Sequence, residues 1–132
     1  MTDELTSYKL ACAVARFLDD AKAQNIKILN ISSVSSFADY FVIASSDTST
    51  QIKALTQNTA ESIKKTFNRL PVGREDDSKN KWNLLDFGDV VVHILQNSER
   101  ESYAIEKFWS HAHSVDKEVW LEESKEFSKY EQ

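Results

Sequence analysis

The chain has 132 residues, of which 41% are apolar and 28% are charged, and its formal net charge is −5 at pH 7. This length suits one globular domain, and no apolar run approaches the roughly 18 residues that a membrane helix needs. Its single cysteine, Cys12, excludes an internal disulfide and a cysteine metal cluster, and the acidic balance argues against direct, sequence-specific binding of nucleic acid.

The first half of the chain predicts a helix, two strands and a second helix. The polar start, MTDELTSYKL, has no signal-peptide pattern, which indicates a cytoplasmic protein. Apolar side chains recur at helical spacing over residues 3 to about 24. Residues 26–31 form a short β-branched run, and the continuous apolar run 40–45 is typical of a strand covered on both faces. Capping side chains at residues 46–48 then open a helix that extends to about Arg69.

A hairpin is predicted in the second half. After a charged loop, two β-rich runs, 82–87 and 90–96, flank Gly88, which supplies the positive φ that a tight turn needs. The tripeptide Asp86–Phe87–Gly88 also occurs at the magnesium site of protein kinases. The chain has neither a glycine-rich phosphate loop nor a His-Arg-Asp motif, so we interpret the tripeptide as turn chemistry.

The C-terminal region predicts a third helix and an acidic extension. Ser98 and Glu101 have the spacing of a capping box, and helical spacing continues to about His111. Residues 114–132 carry six acidic residues and three lysines, a composition compatible with a fourth helix or with a mobile arm. We therefore divide the chain into a domain of residues 1–113 and an acidic C-terminal extension.

The order of elements predicts an α/β fold (α+β in some schemes). A strand–helix–strand crossover requires parallel neighbours, whereas the hairpin is antiparallel. The expected architecture is therefore a mixed β-sheet packed with helices.

No group of residues predicts catalysis, and we expect no cofactor and no metal. His93 alternates with strand residues, so we interpret it as a histidine whose hydrogen bonds are satisfied within the sheet. His111 and His113 point in different directions near a helix end, which disfavours a shared metal. The segment SSDTST lacks the glycine that a phosphate loop needs. The residues alone therefore indicate a binding module, not an enzyme.

Three segments contain polar residues that no core pattern requires: SSFADYFVIAS at 35–45, WNLLDFGDVVVHIL at 82–95 and RESYAIEKFW at 100–109. Together they resemble the signatures of the ribosomal silencing factor family (RsfS, or Iojap-related proteins), over residues 5–112. The resemblance implies a nucleotidyltransferase-like topology without catalysis, and a homodimer when free. It also implies binding to the large ribosomal subunit through large-subunit ribosomal protein fourteen, which blocks joining of the small subunit and represses translation.

The residues that match these signatures supply the candidate partner contacts. The first candidates are Trp82, Asp86, Asp89 and Tyr103. Aromatic anchors carry much of the energy of an interface, and carboxylates complement a basic partner. Further candidates are Tyr40, Leu84, His93 and Arg100. A place in the core is the alternative for Leu84, and turn formation is the alternative for Asp86.

Two other functions are open at this point. One is an assembly factor of the large subunit that uses the same surface. The other is a nucleotidyltransferase-like enzyme, which would bind a nucleotide with magnesium. Enzymes of that kind need a Gly-Ser turn and paired carboxylates for two metals, and the chain has no Gly-Ser and no Asp-x-Asp sequence.

Overall fold

A computed structural model describes residues 5–128, apart from the side chains of Glu106 and Phe108. The predicted helix start at Asp3 and residues 129–132 of the extension lie outside the described residues. The helices and strands, in chain order, are α1 (Ser7–Asp20), β1 (Gln24–Asn30), β2 (Tyr40–Ser46), α2 (Ser49–Phe67), β3 (Gly73–Glu75), β4 (Trp82–Asp86), β5 (Val90–Gln96), α3 (Asn97–Tyr103), α4 (Ile105–Phe108), β6 (His113–Val115) and α5 (Lys117–Glu123), followed by a 3-10 turn (Lys125–Phe127).

The strands form one six-stranded sheet in the order β3–β4–β5–β2–β1–β6. β2 and β5 are parallel, and every other neighbouring pair is antiparallel, which confirms the mixed sheet predicted from the sequence. The edge strands β3 and β6 are additions to that prediction. Each has three residues, too few for an alternating pattern to be recognised, and each is defined by its pairing with a neighbour.

Alternating side chains give the sheet two faces with separate cores. On one face, which we call the covered face, α1 and α2 pack over a cluster that includes Val42, Val92 and Ile94. The other, which we call the open face, has a smaller cluster that includes Phe41 and Val91. Only the short helices α3 and α4 lie on the open face among the described residues. Part of this face is therefore left uncovered.

The helix ends confirm one predicted cap and correct another. Thr48 caps α2 through a capping box with Gln51, within the capping segment that the sequence predicts. The predicted capping box at Ser98 is wrong, because α3 begins at Asn97, directly after β5, and the side chain at its cap position makes no capping hydrogen bond to the helix. The predicted continuous helix is also interrupted at Ala104, whose φ is 46°.

The C-terminal extension packs on α1 through a buried tryptophan. Trp120 of α5 is 1% exposed and belongs to the cluster of the covered face. The buried Arg16 side chain of α1 donates to the Leu121 carbonyl at 2.5 Å and to Ser124 Oγ at 3.2 Å. Arg16 thus satisfies a carbonyl at the end of α5, where helical partners are missing.

The division drawn between residues 113 and 114 falls inside β6, which pairs with β1. The described part of the extension contains a helix, the first of the two alternatives that its composition left open. Residues 114–128 share a core with the rest of the domain. Within residues 5–128, no helix combines the length and the apolar character that a membrane crossing requires.

Replacing Trp120 with alanine is expected to lower the free energy of unfolding by about 3–5 kcal/mol, because it empties a buried aromatic site. Val119→Ala is the matched control, since this neighbour in α5 is 45% exposed; its effect should stay below about 1 kcal/mol. Urea unfolding followed by circular dichroism measures both. A loss below about 1 kcal/mol in Trp120→Ala would mean that the extension unfolds apart from the core.

Candidate functional site

The open face carries an aromatic cluster where β4 pairs with β5. In this register Trp82 lies opposite Leu95, and Leu84 lies opposite His93, so their side chains project from the same face. The Trp82 indole N–H donates to His93 Nδ1 at 3.2 Å. Tyr103 of α3 packs on Trp82 with ring centroids 5.3 Å apart, and it is 55% exposed. The strand pair and α3 therefore build one exposed aromatic edge.

His93 lies beneath this edge, 6% exposed and edge-on to Phe41 with ring centroids 4.6 Å apart. Burial lowers the pKa of His93 to about 4, so the ring is neutral at physiological pH. Because Nδ1 accepts from Trp82, the single ring proton is on Nε2. Nε2 is buried, and it has no hydrogen-bond partner among the described residues. The prediction of a fully satisfied histidine is therefore wrong for this nitrogen.

A cavity of about 560 Å³ opens beside His93. Apolar side chains, among them Phe37 and Leu84, form much of its wall. Its charged lining residues are Arg74, Glu75 and Asp86. The cavity thus combines an apolar wall with a charged rim.

The cation at the rim is already paired. Arg74 donates from Nε and Nη2 to the two carboxylate oxygens of Asp76, at 2.8 and 3.0 Å. These hydrogen bonds raise the pKa of Arg74 and lower the pKa of Asp76. With Arg74 neutralised in this way, Glu75 and Asp86 leave the cavity with a negative balance.

The two carboxylate oxygens of Asp86 differ in their surroundings: one stabilises the hairpin turn and the other has no partner within residues 5–128. Its Oδ1 accepts the N–H of Gly88 at 2.7 Å, and Gly88 has a φ of 93°, as the predicted turn requires. Its Oδ2 has no hydrogen-bond or ion-pair partner in the described part of the chain. The side chain is half-buried at the cavity. One oxygen therefore fixes the hairpin while the other is available to a partner.

Asp89, by contrast, is used within the fold. Its carboxylate pairs with Arg69 at 2.5 Å, and Arg69 also donates to the Phe87 carbonyl at 2.6 Å. The Asp89 carbonyl accepts the N–H groups of Asp39 and Tyr40 at 2.8 and 3.1 Å. These contacts join the hairpin turn to the start of β2 and to the chain just after α2. The structure gives Asp89 a scaffold role.

Tyr40 and Arg100 also lie apart from the exposed edge. Tyr40 projects onto the covered face, with its ring centroid 5.9 Å from that of Tyr8, and burial raises the pKa of its phenol. Arg100 is 8% exposed and donates from Nη1 to Ser45 Oγ at 3.1 Å. Both side chains support the packing around the sheet and offer little surface to a partner.

The structure adds Phe37 to the site. This side chain is 64% exposed, and its ring lies 6.1 Å from Phe41 and 6.2 Å from Trp109 between centroids. A large aromatic residue in a polar loop was the signal available in the sequence, and sequence analysis passed over it. Phe37 extends the aromatic surface to the wall of the cavity, which it lines together with Leu84.

This arrangement has the composition of a protein-recognition surface. It offers exposed aromatic rings and a carboxylate with a free oxygen, as partly apolar protein interfaces do, and a neutral N–H donor lies buried beside them. In residues 5–128, no group of three or more His, Cys, Asp or Glu side chains could hold a metal ion. The side chains of the open face therefore suit the noncovalent binding of another protein.

Comparisons with known proteins agree on one family. The sequence model described as "Ribosomal silencing factor during starvation" (RsfS) matches residues 4–132, and so includes the extension that the resemblance had left out. Ribosomal silencing factor RsfS of Halalkalibacterium halodurans is 32% identical over 117 residues, which cover 86% of this chain and 97% of that protein. The chloroplastic protein Iojap of Arabidopsis thaliana is 31% identical over 114 residues, 86% of this chain, and this chain spans about half of its length (47%).

Solved structures give the same result. A crystal structure of a Chromobacterium violaceum protein aligns with a TM-score of 0.76 at 29% identity, covering 80% of this chain and 88% of that one. A crystal structure from Bacillus halodurans aligns with a TM-score of 0.65 at 29% identity, covering 82% and 94%. The match to residues 4–132 and the identity of the relatives lead to one conclusion: this chain belongs to the ribosomal silencing factor family, RsfS, whose curated relatives include the Iojap proteins.

Proposed function

We propose that this chain binds the large ribosomal subunit through large-subunit ribosomal protein fourteen and blocks joining of the small subunit, which represses translation. The observation that carries the proposal is the exposed aromatic and acidic surface on the open face of a ribosomal silencing factor fold. Steric occlusion needs a docking surface and no reacting group. The open face supplies such a surface.

The chemistry of this surface favours a basic protein over RNA. Trp82 and Tyr103 provide large apolar areas with polar tips, which is the usual composition of interface anchors. The free Oδ2 of Asp86 and the net charge of −5 attract cations and repel phosphates. We therefore assign the principal contact to a basic protein of the subunit.

The proposal extends to the state and location of the free chain. A homodimer would cover apolar side chains near β3 that are exposed here, Leu70 at 63% and Val72 at 77%. A ribosome-binding role puts the protein in the cytoplasm, or in an organelle with its own ribosomes, as the names of the chloroplastic Iojap proteins indicate for those relatives.

Sedimentation of purified ribosomal subunits with the protein tests the function. We expect comigration with large subunits, and fewer joined ribosomes after small subunits are added. Comigration without loss of joining would favour the role of an assembly factor. A protein that stays at the top of the gradient would overturn the proposal, and magnesium-dependent nucleotide binding would then be measured by calorimetry.

Tyr103→Ala is expected to weaken binding to large subunits about ten-fold or more, roughly 1.4 kcal/mol, because it removes an exposed anchor. Its free energy of unfolding should change by less than about 0.5 kcal/mol, since the side chain is 55% exposed. Val119→Ala, an exposed apolar residue of α5, is the control and should bind as the unmodified chain does. Affinity is read from titrations by ultracentrifugation. Equal affinities for the two variants would exclude Tyr103 from the interface.

Asp86→Asn is a sharper charge test than a double lysine variant at Asp86 and Asp89, because Asp89 is paired within the fold. Asparagine can still accept the Gly88 N–H through Oδ1, so the turn is kept while the charge is removed. We expect binding two- to five-fold weaker, about 0.5–1 kcal/mol, with a smaller dependence on salt. Glu61→Gln on α2, over the covered face, is the charge-matched control. An affinity unchanged by Asp86→Asn at low salt would contradict the assignment.

A further inference from the structure

Besides its exposed aromatic and acidic surface, the open face has a second feature that indicates ligand binding, the unpaired Nε2–H of His93. A buried donor without an acceptor loses its hydrogen bond to water and gains none in exchange. The other ring nitrogen is held by Trp82, which lies outside the cavity lining, whereas the His93 ring contributes to that lining. The nitrogen that is free to bond is thus on a ring that faces a cavity of about 560 Å³.

The cavity selects among the acceptors that could reach this donor. Glu75 and Asp86 lie in its lining, and Arg74 is neutralised by Asp76, so a phosphate or a carboxylate would be repelled. The walls are apolar on the side of Phe37 and Leu84. A neutral oxygen flanked by apolar atoms fits both conditions, and in a protein partner this is a carbonyl oxygen of the main chain or of an amide side chain.

We propose that His93 is a specificity-determining residue of the docking surface, and that its Nε2–H donates to a carbonyl oxygen that the partner protein inserts into the cavity on the open face. This inference rests on the proposed function, since the partner is the protein component of the large subunit. The bond satisfies a donor that has no acceptor within the described part of the chain, so its contribution appears on binding. Trp82 then has two roles: it contacts the partner, and its hydrogen bond fixes the tautomer of His93.

Access to Nε2 requires a small rearrangement. The atom is covered in the free chain, so the carbonyl must displace a neighbouring side chain. Among the side chains that line the cavity, Phe37 is the one best placed to be displaced, because it is 64% exposed and lies on the loop before β2. Phe37 lies outside the strands, so its displacement would break no hydrogen bond of the sheet.

The variants His93→Gln and His93→Met isolate the donor. The two side chains have nearly the same shape, and both lose the Nδ1 acceptor of Trp82, but only glutamine can place an N–H near the Nε2 position. We expect His93→Met to bind purified large subunits at least about ten-fold more weakly than His93→Gln. We also expect His93→Met to be the more stable of the two when free, because glutamine buries an unpaired N–H at this position and methionine does not, while both leave the Trp82 indole N–H without its acceptor. A merely structural role would make affinity follow stability instead.

The outcomes separate the two proposals. Unmodified chain that does not bind large subunits overturns the proposed function and this inference with it. Binding by the unmodified chain together with equal affinities for the two variants, or tighter binding by His93→Met, overturns the inference alone. If either variant fails to fold, ¹⁵N NMR of the unmodified chain decides. The expected result is a neutral Nε2–H tautomer whose proton shifts downfield when isolated ribosomal protein fourteen binds; an Nδ1–H tautomer or an unshifted proton in the complex overturns it.

Discussion

The parallel pairing of β2 with β5 is the constraint on which the rest of the structure depends. Seven residues of each strand are in register, from Tyr40 opposite Val90 to Ser46 opposite Gln96. Parallel neighbours cannot be joined by a tight turn, so the chain between them must cross over a face of the sheet, and α2 lies in that crossover. The Asp89 carbonyl anchors the pair at one end by accepting two N–H groups from the start of β2. Helix placement and hairpin position both follow from this pairing.

The same pairing explains why one face of the sheet is only partly covered. Strands buried at the centre of a sheet send alternate side chains to both faces, so Val92 enters the covered core while Val91 and His93 go to the other side. Two long helices cover the first face, but α3 and α4 have seven and four residues and cannot cover the second. The break at Ala104 separates them and lets Ile105 join the cluster on the open face. The aromatic edge around Trp82 is therefore the uncovered margin of a second core.

Local pattern was enough to predict the long elements, because two-residue and 3.6-residue periods are visible in a single sequence. Gly88 and its flanking aspartates predicted the hairpin, and the structure confirms the turn. What depended on distant partners could not be predicted in this way. The ion pair of Asp89 with Arg69 joins residues twenty positions apart. The face on which the Tyr40 side chain lies is determined only by the strand register. Trp120 is buried in a cluster that includes residues of α1. The tautomer of His93 likewise depends on a cross-strand neighbour.

Several departures from good packing lie on the open face, which agrees with the binding role proposed for it. A domain selected for stability alone would cover Phe37 and Tyr103 and would give His93 Nε2 an acceptor. Of the buried side-chain polar atoms in residues 5–128, only Thr59 Oγ1 shares this lack of a partner, and it is a helix hydroxyl beneath the covered face. Exposed aromatic rings and an unpaired donor each cost free energy in the isolated chain. Phe37 and His93 line one cavity, and Tyr103 packs on Trp82, which donates a hydrogen bond to His93. Local rules of stability tend to fail together where a protein is built to bind, since the partner supplies the missing contacts.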